Sequence, residues 1–479
     1  MDLADYFVFF VYFVVMLSVG FYFARSNAST SDYFVGGRSM GAGHVGLSVV
    51  ATDVGGGFSI GLGGLGFTMG LSGSWMLFTG LIGAWLSAVL LIPKVAQLGK
   101  QHALLSFPQF LGQFYHRRVA WLAGLISAIG YIGFTSSQLL AGAKLASATF
   151  PALTLSTALW FMGAIAVVYT VLGGIKAVIY TDTVQWLLLL AGLVFIGLPL
   201  GYRAVGGWEG LAQVVQPEML SFRSVSATQL VNWGVTIVPI WFVGMTLYQR
   251  IFACKSEREA KRAWFIAGLF EWPLMAIMGV ALGLFARAAW LQGAFAELGF
   301  AAGAAGFDAE MGLPLLLRVV MPVGLLGLMM SAYFSAIMST ADSCLIAASG
   351  NVVTDLVQMG DAAEPRKVLR WSQGVTLAIG ALALALASTM ENVLELMLHS
   401  YAFMVSGLLV PVVAALVLRR PDSWAALAAM GVGGSTTLGL IAWGEALPMG
   451  LDANVFGIGA AVLAYGLTHG LRSQIQMKT

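Results

Sequence analysis

Charge is what this 479-residue chain has least of: Asp, Glu, Lys and Arg together make up 10% of it. A soluble domain carries about 25%, so an ordinary water-facing surface is excluded. With 59% hydrophobic residues and a mean hydropathy of +0.87, the chain reads as a polytopic membrane protein. Cysteine is nearly absent: Cys254 and Cys344 form no C-x-x-C pair, which excludes a disulfide framework. Histidine is also sparse, at five residues. No His/Cys/carboxylate cluster suggests a metalloenzyme, and a single mid-membrane histidine, His399, argues against haem. No acid, base and nucleophile gather in one stretch, so the chain is not expected to be an enzyme. The net charge of +2 reflects membrane topology and points to no nucleic-acid partner. The start, MDLADYFVFF, has neither a basic n-region nor an A-x-A cleavage site. It is read as a retained first helix.

What the chain has in abundance is apolar runs. A span takes about 20 apolar residues, and thirteen such segments can be marked: 5–25, 41–70, 74–96, 119–148, 154–172, 177–203, 229–253, 263–289, 314–348, 368–389, 394–418, 423–444 and 453–471. No soluble domain interrupts them, so the whole of 1–479 is expected to be one transmembrane domain. The lysines and arginines sort by side. Arg25, Arg38, Lys94, Lys100, Arg117, Arg118, Lys176, the Arg250–Arg262 cluster, Arg366, Lys367, Arg370, Arg419, Arg420, Arg472 and Lys478 fall at one set of ends. Arg203, Arg223 and Arg287 fall at the other. By the positive-inside rule this places the N-terminus outside and the C-terminus in the cytoplasm.

One stretch is hard to reconcile with a plain span. From Gly55 to Gly70, eight of sixteen residues are glycine, and Asp53 stands just before them. Interior glycine costs a helix about 1 kcal/mol relative to alanine, and a carboxylate at bilayer depth costs roughly 2.5–3.5 kcal/mol. Two readings account for this. Either the helix is broken with its freed backbone groups facing an internal site, or the glycines form a face packed tightly on a neighbour. Gly61, Gly63 and Gly66 also spell G-x-G-x-x-G, but no parallel strand precedes them, and the dinucleotide reading fails.

Other polar residues mark further positions. Thr135, Ser136, Ser137 and Gln138 form a patch in the fourth segment, where the hydroxyls either line a cavity or bond back to their own helix. Lys144 is expected to snorkel to the outer interface. Asp182 and Gln185 stand near the start of the sixth segment, where a carboxylate is either a cap or part of an ion path. Asn232, Pro239 and Gly244 weaken the seventh, with Trp241 at the expected break. Ala336, Ser339, Thr340 and Ser343 share one face of the ninth, a set of neutral oxygens suited to an alkali cation or simply a small-residue packing stripe. Asp342 is expected to point elsewhere. Glu271, Glu395 and His399 complete the expected buried ionisable groups.

The segments DYFVGGRSMG, ATDVGGG, GGIKAVIYTDTVQ, YQRIFACKSEREAKRA and AIMSTADS together resemble the sodium/solute symporter family, over essentially the full length and nearest to its proline and choline branches. The resemblance implies an all-α polytopic membrane protein with thirteen transmembrane helices and a leucine-transporter-type (LeuT-type) 5+5 inverted repeat. One extra N-terminal helix, 5–25, would precede a first repeat at about 41–203 and a second at about 229–418, with two C-terminal helices in 423–471. It implies sodium (Na+) as coupling ion, held by the carbonyls of Ala51, Val54 and Ala336 and the hydroxyls of Ser339 and Thr340, with Asp182 as a site for a second ion. It implies sodium-driven uptake of a small solute by alternating access, from the inner (cell) membrane of a bacterium, with a lipid bilayer around it and no obligate protein partner. Asp53, Gln138 and Trp241 are the candidate substrate residues. They suit a zwitterionic, amino-acid-like compound such as proline. A sugar, a monocarboxylate, a quaternary ammonium such as choline, or a non-transporting sodium-dependent receptor are the alternatives. The choline branch would place aromatics where this chain has Asp53 and Gly244, which weakens an aromatic cage.

Overall fold

In lipid every backbone N–H and C=O must be satisfied within the protein, and the apolar runs answer this by forming helices throughout. The computed structural model describes residues 2–24, 35–53, 56–150, 152–172, 175–357 and 365–476. Among them the only pairing of extended backbone is one isolated bridge between Met40 and Cys254. Nine of the described helices are long and apolar enough to cross a membrane, and ten if one bent pair counts as a single span.

The longer helices are α1 (Leu3–Ala24), α2 (Ala42–Asp53), α3 (Gly56–Met69), α4 (Trp75–Leu90), α5 (Ile92–Gln101), α6 (Arg117–Thr149), α7 (Leu155–Leu172), α8 (Ile175–Gly192) and α9 (Leu198–Ala204). They continue with α10 (Ala227–Val243), α11 (Met245–Ala253), α12 (Glu257–Leu269), α13 (Ala276–Leu291), α14 (Leu325–Gly350), α15 (Pro365–Ala387), α16 (Val393–Val417), α17 (Ser423–Trp443) and α18 (Ala453–Gln476). α8 joins α9 through a single π-helical turn at Leu193–Gly197, and α12 joins α13 through a kink at Phe270–Met275 in which Trp272 is extended (φ −136°, ψ 129°). The stretch led by α14 is 94% buried, and it packs against α1, α2, α3, α6, α7, α8, α11 and α15. It is the axis of the molecule.

The glycine-rich stretch resolves in favour of packing wherever it is described. Gly56 to Gly66 are helical in α3, and the residues between α2 and α3, Val54 and Gly55, lie outside the described set. The glycines let α3 touch its neighbours at backbone distance. A Cβ on Gly66 would come 2.2 Å from the Val280 carbonyl oxygen, and one on Gly283 would come 2.0 Å from that of Gly63. The second break is present, but its position differs from expectation. Pro239 sits inside α10, and the chain bends by 43° at Gly244, between α10 and α11.

These close approaches set a test. Gly66→Ala and Gly283→Ala each push a methyl group into backbone that cannot rotate away, at a cost of about 1–3 kcal/mol. Gly43→Ala meets no atom within 4 Å and serves as the control. Thermal unfolding in detergent should show a lowered midpoint for the first two alone. Equal shifts in all three would contradict the packing.

Candidate functional site

The bend at Gly244 turns the polar end of α11 inward. Arg250, in its last turn, is fully buried, so it stands inside the protein and not at an exposed helix end. Its Nε donates to Ser48 Oγ at 3.1 Å, and its Nη1 donates to the Thr246 carbonyl at 3.3 Å. Its Nη2 donates to Thr52 Oγ1, to Ser343 Oγ at 3.1 Å and to Asp182 Oδ2 at 3.4 Å. One guanidinium therefore ties α11 to α2, α8 and α14. Asp182 lies about two turns into α8, not at its start, so the capping role is excluded. It accepts from Ser48 Oγ at 2.5 Å and from Ser339 Oγ. A buried carboxylate needs partners of this kind to remain folded at all.

The proposed ion ligands meet beside this network. Thr340 Oγ1 lies 3.0 Å from the carbonyl oxygen of Ala51 on α2 and 3.0 Å from that of Ala336 on α14. Its one proton cannot serve both acceptors fully, so three oxygens crowd together with a single donor among them. Ser339, one residue earlier, is held by Asp182, and Ser343, one turn on, faces Thr52 at 3.4 Å. Val54 lies outside the described residues. A set of carbonyls and hydroxyls with a carboxylate behind them is hard-oxygen chemistry, suited to an alkali or alkaline-earth cation and not to a soft metal.

A second cluster collects around Asp53, the last residue of α2. Asp53 is half-buried and accepts from Tyr401 Oη of α16 at 3.2 Å. α2 packs on α12, with the position of a Cβ on Gly46 only 2.9 Å from the Ala263 carbonyl. About two turns beyond that contact on each strand of chain, the carboxyls of Asp53 and Glu271 face one another. Apart from that carboxyl contact, neither Glu271 oxygen has a hydrogen-bond partner. Glu271 fills the space over Gly80 of α4, and Trp241 of α10 fills the space over Gly83. Trp241 is fully buried, edge-to-face with Trp264. Residues three apart on a helix lie about 5–6 Å from each other. Glu271 and Trp241 thus lie one turn apart along α4, with Asp53 of α2 beside Glu271. A cleft of about 830 Å³ lies between α3, α10 and α16, with Ala402 among its lining residues.

Gln138 does not join them. It turns to a small cavity lined by Met162 and Ala166 of α7 and Phe334, Ile337 and Met338 of α14, because the face of α6 that carries it packs on α14. Its neighbours Thr135, Ser136 and Ser137 all bond back to carbonyls of their own helix. Lys144 does not snorkel either: it is buried, 2.6 Å from Asp308 and 2.7 Å from Glu310, and Glu310 also caps the start of α16 by accepting from the Val393 and Leu394 amides. Glu395 is exposed and His399 half-buried, both on the cleft wall. Asp342 finds its polar partner in Thr170. Glu271 was legible as a costly carboxylate within an apolar run, and Tyr401 carried no signal.

Residues 33–433 match the sequence profile of the Sodium:solute symporter family. The chain is 27% identical over 445 residues to the high-affinity proline transporter PutP of Bacillus subtilis, covering 90% of each chain. It is 28% identical to the sodium/proline symporter of Escherichia coli, covering 89% of this chain and 86% of that one. A solved structure described as the substrate-bound outward-open state of a Na+-coupled sialic acid symporter superposes with a TM-score of 0.79 at 22% identity, covering 98% of each chain. That likeness is one of fold.

The buried pair sets its own test. Asp182→Ala leaves the Arg250 guanidinium without its counter-charge, at a cost of about 3–5 kcal/mol. Adding Arg250→Met removes the orphaned charge and should recover part of the lost thermal stability. Additive losses in the double variant would mean that the two side chains do not act as a pair.

Proposed function

The chain belongs to the sodium:solute symporter family, and we propose that it draws a small zwitterion with a cationic nitrogen across the membrane by coupling it to sodium. As a family member it is an integral membrane transporter and not an enzyme. The observation that carries the reading is the convergence of the Ala51 carbonyl, the Ala336 carbonyl and the Thr340 hydroxyl, each pair within 3.0 Å of the shared hydroxyl. Sodium binds there, with the Ser339 hydroxyl as a further ligand, and it clasps α2 to α14. The proline-transporter relatives and the Asp53–Trp241 cluster support a compact zwitterion: a carboxyl for the ammonium and an indole face beside it. Gln138 is left out of the substrate site.

The span scheme that fits is thirteen. α2 with α3, α4 with α5, α8 with α9, α10 with α11 and α12 with α13 each make one span, alongside α1, α6, α7, α14, α15, α16, α17 and α18. The second to sixth and seventh to eleventh spans then form the five-plus-five inverted repeat, each opening with an interrupted helix. The N-terminus lies outside, the C-terminus lies in the cytoplasm of a bacterial cell, and the cleft opens outward. Asp182 is the candidate for a second ion, which binds only where the 3.4 Å contact with Arg250 is given up. A reversal potential that counts one sodium per solute would leave Asp182 as the anchor of Ser339 and Arg250.

Reconstitution in proteoliposomes, with an imposed sodium gradient and a panel of radiolabelled amino acids, sugars and monocarboxylates, tests the reading. Sodium-driven accumulation of a zwitterion is expected. Ser339→Ala and Thr340→Ala each remove one ligand, a loss of about 1–3 kcal/mol, and should raise the sodium concentration for half-maximal uptake about ten- to hundredfold. An unchanged sodium activation curve in both variants rules out this ion site. Uptake confined to sugars or monocarboxylates rules out the zwitterion.

A further inference from the structure

Glu271 is left unused by the ion site. It is fully buried, it stands on the kinked turn Phe270–Met275 in the middle of an apolar stretch, and its oxygens have no hydrogen-bond partner other than the Asp53 carboxyl. None of the ion pairs among the described residues reaches it. It is not loosely placed. A Cβ on Gly80 would stand 1.8 Å from its Oε2, so the missing side chain at Gly80 is the space the carboxylate occupies. Two carboxyls facing each other at this depth are strongly unfavourable when both are ionised and no cation lies between them. Asp53 has one donor, the Tyr401 hydroxyl. What the pair lacks is a cation with hydrogens to give to both. Among the described residues no three acidic, histidine or cysteine side chains gather to hold a metal ion, whereas an ammonium needs only one acceptor for each N–H.

We propose that Asp53 and Glu271 together bind the cationic nitrogen of the transported solute, each carboxyl accepting one N–H bond, and that Glu271 thereby restricts the carrier to primary and secondary ammonium compounds. This rests on the zwitterion reading above and deepens it. With both carboxyls ionised the pair supplies acceptors only, so a solute lacking the N–H leaves Glu271 buried without a donor, the arrangement that gives the sharpest discrimination, while Asp53 keeps the Tyr401 hydroxyl. A quaternary ammonium satisfies neither carboxyl. The Trp241 indole over Gly83, one turn along α4 from the Glu271 carboxylate, then serves as an apolar wall beside the cation and not as an aromatic cage.

The test uses the reconstituted full chain and three probes of one skeleton: L-proline with two N–H bonds as its zwitterion, N-methyl-L-proline with one, and N,N-dimethyl-L-proline with none. In the parent, inhibition of zwitterion uptake should weaken at least about tenfold at each methylation. In Glu271→Gln the proline-to-N-methylproline ratio should fall toward one while the sodium activation curve stays as in the parent. Glu271→Asp should restore part of the ratio, as a purely structural role would not require. An unchanged methylation ranking in a Glu271→Gln protein that still accumulates the zwitterion overturns this inference and leaves the proposed function standing. A shifted sodium curve with the ranking intact places a metal ion between the carboxyls and also overturns it. Failure of every N–H-bearing probe to bind or be carried overturns both readings. If Glu271→Gln does not fold, the parent decides alone: equal affinity for the unmethylated and dimethylated probes refutes the pair as the ammonium site.

Discussion

A guanidinium buried in the middle of a membrane protein has no water to return to, and Arg250 shows what the surrounding chain must do to keep it. Its donors reach Ser48 and Thr52 on α2, Asp182 on α8 and Ser343 on α14. Each of those side chains is itself buried. Removing any one strands a charge or a hydroxyl in low dielectric, where the penalty is largest. The site beside it inherits this rigidity: Ser339 is aimed by Asp182, and Thr340 sits one residue further along the same helix. The pair's worth lies in registry more than in stability, since a buried ion pair seldom outperforms an apolar replacement.

Two helices make the account mechanical. α2 carries Ala51 at the ion ligands and, two residues on, Asp53 at the carboxyl pair. α14 carries Ala336, Ser339 and Thr340 and is the most enclosed helix of the fold. In the proposed scheme an ion that clasps Ala51 to Thr340 fixes the end of α2, and with it the Asp53 carboxyl proposed to meet the solute. In that scheme coupling between ion and solute needs no long pathway, since only Thr52 separates Ala51 from Asp53 on α2.

Much of this could be read in the sequence, for identifiable reasons. The apolar runs and the Ala336–Ser339–Thr340–Ser343 face follow from hydropathy and helical spacing, and the face is present as expected. The bend in α10–α11 was foreseen from Pro239 and Gly244, but the choice between them depends on packing, and Gly244 is where the chain turns. Glycine spacing could not separate a break from a close crossing, and Gly66 and Gly283 turned out to be crossings. The misreadings share one cause. Lys144 and Arg250 were assigned by the rule that puts positive charge at membrane ends, yet both had buried acidic partners far away in sequence, Glu310 and Asp182. Gln138 fell on the α14 side of its helix, a rotation that a sequence without neighbours does not fix. Glu271 was visible as an anomaly, but its role required knowing that Asp53 comes to face it.

The central claim is that ion and solute share α2, and linkage makes that measurable. In the purified protein, the affinity for a zwitterionic probe should be determined across sodium concentrations, and the affinity for sodium across probe concentrations. The account predicts that each ligand tightens the other by the same factor, and that Thr340→Ala reduces that factor toward one. Tight probe binding that is indifferent to sodium, with Thr340 intact, would contradict it.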